Sequence, residues 1–229
     1  MFIYYLLIFL GVIFGLNFLR HKISREIQMI SLLLFRNTSP GVLFYSLFFL
    51  PGVIIHELSH LLTASLLGVQ TGNISIFPSE IKPGNTKLGY VESAQSDPVR
   101  EGLIGFAPLF IGVTIIFIAG GLHFALDPVK QILIMYLLFS VANTMFVSKE
   151  DTRSWWGLLT FIVLIVLFIF VFQLNGYFAQ YLPMVNDYLW RLDRILSSLI
   201  MIDFSALSFV FIIKSFIQKA TGLTVKRRV

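Results

Sequence analysis

The chain has 229 residues, of which 57% are hydrophobic and only 13% are charged. Soluble domains carry about 25% charged residues, so this composition excludes a soluble protein and predicts an all-α polytopic membrane protein in contact with lipid. The formal net charge is +5, but the basic residues form short clusters between apolar runs, as at membrane surfaces, and nucleic-acid binding is not expected. The absence of cysteine excludes disulfides, thiol catalysis and cysteine-ligated zinc.

Apolar segments of about 20 residues predict transmembrane helices, and about six such segments are present. In chain order they are Met1–Leu19, Gly41–Leu67, Leu103–Leu126, Gln131–Ser148, Trp155–Leu174 and Ile195–Ile217. The first is interpreted as a retained helix, because its basic cluster follows the apolar run and no Ala-x-Ala site is present. The Lys and Arg counts of the loops do not determine the membrane orientation.

Two connections between these segments are long enough to have structure of their own. In the first, residues 68–101, apolar and polar residues alternate at Asn73–Phe77 and at Leu88–Glu92, on either side of a Pro-Gly pair. This pattern predicts a small β-hairpin after the second helix. The second connection, residues 175–194, is rich in tyrosine and arginine, which is typical of a segment at the membrane interface.

The second apolar segment contains an H-E-x-x-H pattern at residues 56–60. Residues four apart lie on one face of a helix, so His56 and His60 can bind one metal ion, and neutral imidazoles suit Zn²⁺. Glu57 follows the first ligand and can accept a proton from water that zinc activates. Ionisable residues in an apolar span are costly and usually mark a functional site. Pro51-Gly52, one turn earlier, either opens the helix to water or is an ordinary feature of a membrane helix.

A catalytic zinc site usually has three protein ligands and one open position, so a third ligand is required. The candidates are Asp127, Glu150, Asp151, Asp187, Asp203, His21 and His123. Of these, His123 and Asp127 are interpreted as residues at a helix end near the membrane interface. For Asp203 the same interpretation is preferred over a position inside the membrane.

The order of these features resembles the site-2 protease family of intramembrane metalloproteases. The resemblance covers about residues 51–157: a metal-binding helix, a polar strand-like loop, and a helix that ends near an asparagine and a carboxylate. In that family the third ligand is an aspartate in an Asn-x-x-Pro-x-x-Asp-Gly-like stretch. Here Asn143 precedes Asp151 by eight residues, and the proline and the final glycine are absent. The segment Gly105-Phe106-Ala107-Pro108 is also similar to the family.

The resemblance implies a site with His56, His60 and Asp151 as zinc ligands, and Glu150 stays open as an alternative ligand. It implies that Asn143 binds substrate or the oxyanion. Alternate helices run parallel, so the late halves of the second and fourth spans are expected at one membrane depth.

These features together predict an intramembrane zinc metalloprotease that hydrolyses peptide bonds in or near transmembrane segments of substrate proteins. We expect one multi-pass domain over residues 1–229 in a prokaryotic cell membrane, with a catalytic core at about 41–157 and accessory helices at 1–19 and 175–217. One alternative is another membrane zinc peptidase, with a glutamate as third ligand. The other is a non-catalytic membrane adaptor or transporter that retains the fold, against which the intact Glu57 argues. The oligomeric state is not predicted.

Overall fold

The computed structural model describes residues 2–78, 80–82, 85–122, 127–146, 155–172 and 175–223. Within these ranges the chain is mostly helical, with one small β-ribbon. The helices are α1 (Phe2–Phe35), α2 (Ser39–Phe48), α3 (Leu50–Leu66), α4 (Pro98–Leu122), α5 (Pro128–Thr144), α6 (Trp155–Val171), α7 (Asn175–Ala179) and α8 (Leu182–Thr221). The strands are β1 (Thr71–Ser75), β2 (Glu80–Lys82), β3 (Asn85–Lys87) and β4 (Tyr90–Ser93).

Helices α1, α4 and α8 are long and apolar enough to cross a membrane. Helices α2 and α3 are long and apolar enough only as a pair, which is bent by 80° and is either a broken fourth span or a re-entrant loop. Both α5 and α6 have only 17 residues, so the described residues contain three spans of full length, or four with the bent pair. The predicted helical membrane protein is therefore supported, while the predicted number of about six spans is not confirmed.

The second predicted span is broken at Phe49, which separates α2 from α3. Pro51 lies in the first turn of α3, where its missing N–H leaves no helical bond unmade. The Ser140 hydroxyl of α5 stabilises the bend by bonding to backbone groups on both sides of it. It donates to the Phe49 carbonyl over 3.1 Å and accepts from the Gly52 N–H over 2.9 Å. The expectation of one continuous helix was wrong, because a hydroxyl from α5 satisfies the backbone groups at the bend.

Helices α1 and α8 are both longer than the sequence predicts, and they run side by side. Gly15 lies against Ile200, and farther along both helices Glu26 forms a buried ion pair with Lys214, so the two helices point in the same direction. The basic cluster that begins at Arg20 lies within α1 and not in a loop. Lys, Arg, Glu and Gln are good helix formers, so this stretch continues the helix to Phe35.

The loop after α3 folds into a β-ribbon, which confirms the predicted hairpin. Strands β1 and β4 pair antiparallel, with Ile74 opposite Val91 and Ser75 opposite Tyr90. Strands β2 and β3 pair farther out along the same loop. Strand β1 begins two residues before the predicted start at Asn73, and β4 begins two residues after the predicted start at Leu88. A bulge interrupts the register before Ile74.

The apolar core of the bundle lies between α1, α2, α4, α5 and α8. Its fully buried members include Leu16, Phe49, Ile116, Leu138, Met145, Leu196 and Leu199. A second, smaller cluster of Ala64, Val69 and Ile104 joins α3 to α4. Helix α3 therefore packs between α4 and α5, and this position determines what surrounds its two histidines.

Candidate metal centre

The two histidines of α3 converge on one point. Their rings pack edge to face with centroids 4.9 Å apart, and the two Nε2 atoms are 3.3 Å apart. Two ligands held at 2.0–2.1 Å by a tetrahedral zinc ion are separated by about 3.3–3.4 Å. The distance between the Nε2 atoms of His56 and His60 therefore fits two ligands of one zinc ion.

The second nitrogen of His60 is fixed by α4. Its Nδ1 lies 2.8 Å from the Ile104 carbonyl oxygen in a buried contact. A carbonyl oxygen only accepts, so Nδ1 carries the proton and Nε2 presents its lone pair towards His56. Metal-binding histidines almost always have such a hydrogen bond on the other ring nitrogen, which sets both the tautomer and the ring orientation.

Glu57 lies between α3 and the β-ribbon. Its side chain is buried, and Gly89, immediately before β4, is so close that a methyl group there would lie 2.6 Å from Glu57 Oε1. The same methyl group would lie 2.7 Å from the Ser75 carbonyl oxygen of β1. Only a glycine fits between the ribbon and the carboxylate, so the ribbon covers the predicted general base directly.

The predicted third ligand, Asp151, and its alternative, Glu150, lie outside the described residues, as does His123. In the part of the chain that the structure describes, no group of three metal-binding side chains is found. Asp127 caps α5, and its hydrogen bond with the Lys130 side chain holds the pKa of this carboxyl below its usual range. Asp187 pairs with Arg191 on α8. Both carboxylates are exposed, and both are engaged away from α3.

Asn143, the predicted substrate-binding residue, faces α8. Its side-chain amide donates to the Phe139 carbonyl over 3.0 Å and to Asp203 Oδ1 over 2.7 Å. Both amide hydrogens are therefore in use, and only 1% of the residue is exposed. In this arrangement Asn143 ties the end of α5 to α8.

Asp203 is the polar residue that sequence reasoning placed least well. It lies in the middle of α8 and is 1% exposed, instead of lying at a helix end near the membrane interface. The signal that could have identified it is a carboxylate inside an apolar span, since such groups need a partner in the bundle.

Helices α3 and α5 run in the same direction, as the sequence predicts. Phe49 and Gly52 both contact Ser140, and a methyl group at Gly52 would overlap Ser140 and, one turn farther along α5, Thr144. Helix α5 ends at Thr144, and His56 follows Gly52 by one turn on α3. The chain that carries Asp151 thus leaves α5 at a point one turn before the histidines.

Comparison with protein-family models, curated proteins and solved structures gives no significant match to this chain.

Proposed function

We propose that this chain is an intramembrane zinc metalloprotease of the site-2 protease type, which hydrolyses peptide bonds in or near transmembrane segments of other proteins. The observation that carries the proposal is the pair of Nε2 atoms 3.3 Å apart, with His60 oriented by the Ile104 carbonyl. This arrangement is typical of metal-ligating histidines, and it lies in an apolar helical bundle.

The proposed roles belong to the H-E-x-x-H residues of α3 and to one carboxylate that follows α5 in the sequence. His56 and His60 would hold the zinc through Nε2, with Asp151 as the proposed third ligand. Bound zinc supplies a Lewis acid that polarises the scissile carbonyl and acidifies water. Glu57, next to the first ligand and covered by Gly89, would accept a proton from the attacking water and pass it to the leaving amine.

The β-ribbon would hold the substrate. A peptide bond inside a helix is shielded by its own hydrogen bonds, so the substrate has to unwind, and unwound backbone needs partners inside a membrane. An extended segment can pair with a strand through main-chain hydrogen bonds. The ribbon of β1 and β4 lies beside Glu57, where such pairing would bring the scissile bond to the base.

We also propose a five-span arrangement in place of the six spans expected from the sequence. Successive spans alternate in direction, so the parallel α1 and α8 require an odd number of spans. The bent pair α2–α3 would then be a re-entrant loop beside the spans α1, α4 and α8. Helices α5 and α6 would be two further short spans, since 17 residues is the lower end of the usual range.

The test uses Glu57→Gln and His56→Ala in the full-length chain. The glutamine keeps the shape of the side chain but accepts no proton, so cleavage should fall by about 10²–10⁴-fold while zinc is retained. His56→Ala should lose zinc. Quantitative mass spectrometry of cell membranes measures cleaved single-pass proteins, and elemental analysis of the purified proteins measures zinc.

Equal cleavage by wild type and Glu57→Gln, or equal zinc in wild type and His56→Ala, would overturn the proposal. Zinc that depends on His56 without any cleavage that depends on Glu57 would indicate the non-catalytic adaptor or transporter.

The third ligand is tested by separate alanine substitutions. Asp151→Ala should lose zinc and cleavage together, whereas Glu150→Ala should keep both. The reverse result would favour another class of membrane zinc peptidase, with a glutamate ligand.

A further inference from the structure

Pro108 lies inside α4, four residues after the carbonyl that holds His60. In a helix, the N–H of each residue donates to the carbonyl four positions earlier, and proline has no N–H. Pro108 therefore leaves the Ile104 carbonyl without its helical donor. This is the carbonyl that accepts from His60 Nδ1 over 2.8 Å.

We propose that Pro108 is a positioning residue of the candidate zinc site, because it reserves the Ile104 carbonyl for His60. The inference rests on the proposed zinc site at His56 and His60. In this proposal Pro108 of α4 determines which ring nitrogen of His60 on α3 carries the proton.

The packing around the carbonyl supports this role. Ile104 and Ala64 are buried together, and Ala64 lies one turn after His60 on α3. The small alanine brings the two helices together, so the Ile104 carbonyl is within reach of the ring and is shielded from solvent.

A residue with an N–H at position 108 would compete for this carbonyl. The restored helical bond would draw the Ile104 oxygen towards the helix axis and share it between two donors. The His60 ring would then lose the contact that sets its tautomer and its orientation. Loss of such a contact typically weakens metal binding by about 10–100-fold.

The effect on stability should have the opposite sign. Proline inside a helix disfavours the helix relative to alanine, so Pro108→Ala should raise the thermal unfolding midpoint of the metal-free protein or leave it unchanged. A purely structural role for Pro108 predicts the reverse, a lower midpoint with unchanged zinc affinity. The two measurements together therefore separate positioning from structure.

The experiment titrates zinc into the purified, metal-free full chain in detergent, in competition with a fluorescent chelator. The variants are Pro108→Ala and Pro108→Gly, which restores the N–H without adding a side chain. Pro128→Ala is the matched control, because Pro128 lies in the first turn of α5, where an N–H has no helical carbonyl to bond. His56→Ala reports whether the zinc site exists.

We expect a zinc Kd raised about 10-fold or more in both Pro108 variants and unchanged in Pro128→Ala. A Kd within about 3-fold of wild type in both Pro108 variants would overturn the inference, as would equal weakening in Pro128→Ala. If only one of the two Pro108 variants folds, the zinc Kd of that variant alone tests the inference. Equal zinc binding by wild type and His56→Ala is a different result, since it removes the proposed zinc site and with it this inference.

Discussion

Gly89 shows how closely a single residue can determine the candidate site. The ribbon backbone at this position lies against both the Glu57 carboxylate and the Ser75 carbonyl, so no space is left for a side chain. Because neither the paired strand nor the buried helix can yield easily, an added methyl group would displace the carboxylate.

We predict that Gly89→Ala lowers cleavage by about 10²-fold while zinc content is unchanged, since displacements of about 1 Å can have effects of that size. Cleavage of a single-pass substrate and zinc content are measured on the same preparation. Gly72→Ala is the control, because the atoms nearest to a methyl group there belong to the exposed side chain of Glu92, which can move. Equal rates for Gly89→Ala and wild type would show that the ribbon does not set the position of Glu57.

The sequence predicts the site residues that belong to a local motif. It misses the residues whose role depends on contacts with parts of the chain that are distant in sequence. His56, Glu57 and His60 follow from their spacing on one helix. The Ile104 carbonyl is a backbone group, and nothing in its own side chain indicates a role. Gly89 and Asp203 matter because of residues far away in the chain, so no short motif could reveal them.

At the scale of elements, the ribbon is predicted because turn residues and alternation are local signals. Its contact with α3 is not local, and the sequence suggests it only through the short distance from His60 to β1. The bend between α2 and α3 is not predicted from the sequence either, because the contact that stabilises it is not local. Pro51 and Gly52 indicate a weak point, but Ser140, which holds the bend, lies on α5.

We predict that proline at Ile74 or at Val91 abolishes cleavage of a helical substrate while zinc is retained. These two residues face each other in the β1–β4 pair beside Glu57, and proline removes the main-chain donor that strand pairing uses. Thr86→Pro is the control, because it breaks the same kind of pairing in the outer β2–β3 pair. Wild-type rates in both Ile74→Pro and Val91→Pro would exclude the ribbon as the surface that pairs with substrate.

At the scale of the whole molecule, α8 is joined to the rest of the bundle by two buried polar contacts. Asp203 accepts from Asn143 of α5, and Lys214 pairs with Glu26 of α1. Composition predicts the membrane and the helices, but it does not predict which helices share a polar partner. The two contacts explain why Asp203 and Lys214 are buried in an otherwise apolar part of α8.

We predict that Lys214→Met lowers the stability of the bundle by about 3–5 kcal/mol, because it leaves Glu26 buried without its cation. The double variant with Glu26→Gln should recover part of this loss, since no uncompensated charge then remains. Thermal unfolding in detergent is measured for wild type, Lys214→Met, Glu26→Gln and the double variant, because additivity is judged against both single losses. Losses that simply add in the double variant would show that the pair does not couple α1 to α8.

The Glu26–Lys214 pair also has a consequence for biosynthesis. Its two charges are separated by 188 residues, and a ribosome needs about 10–40 s to make a stretch of that length. During this time the histidine helix and the helices on either side of it have already been made, whereas Glu26 has no cation from α8. Insertion of α8 beside α1 is therefore the step that supplies the Glu26 carboxylate with its cation.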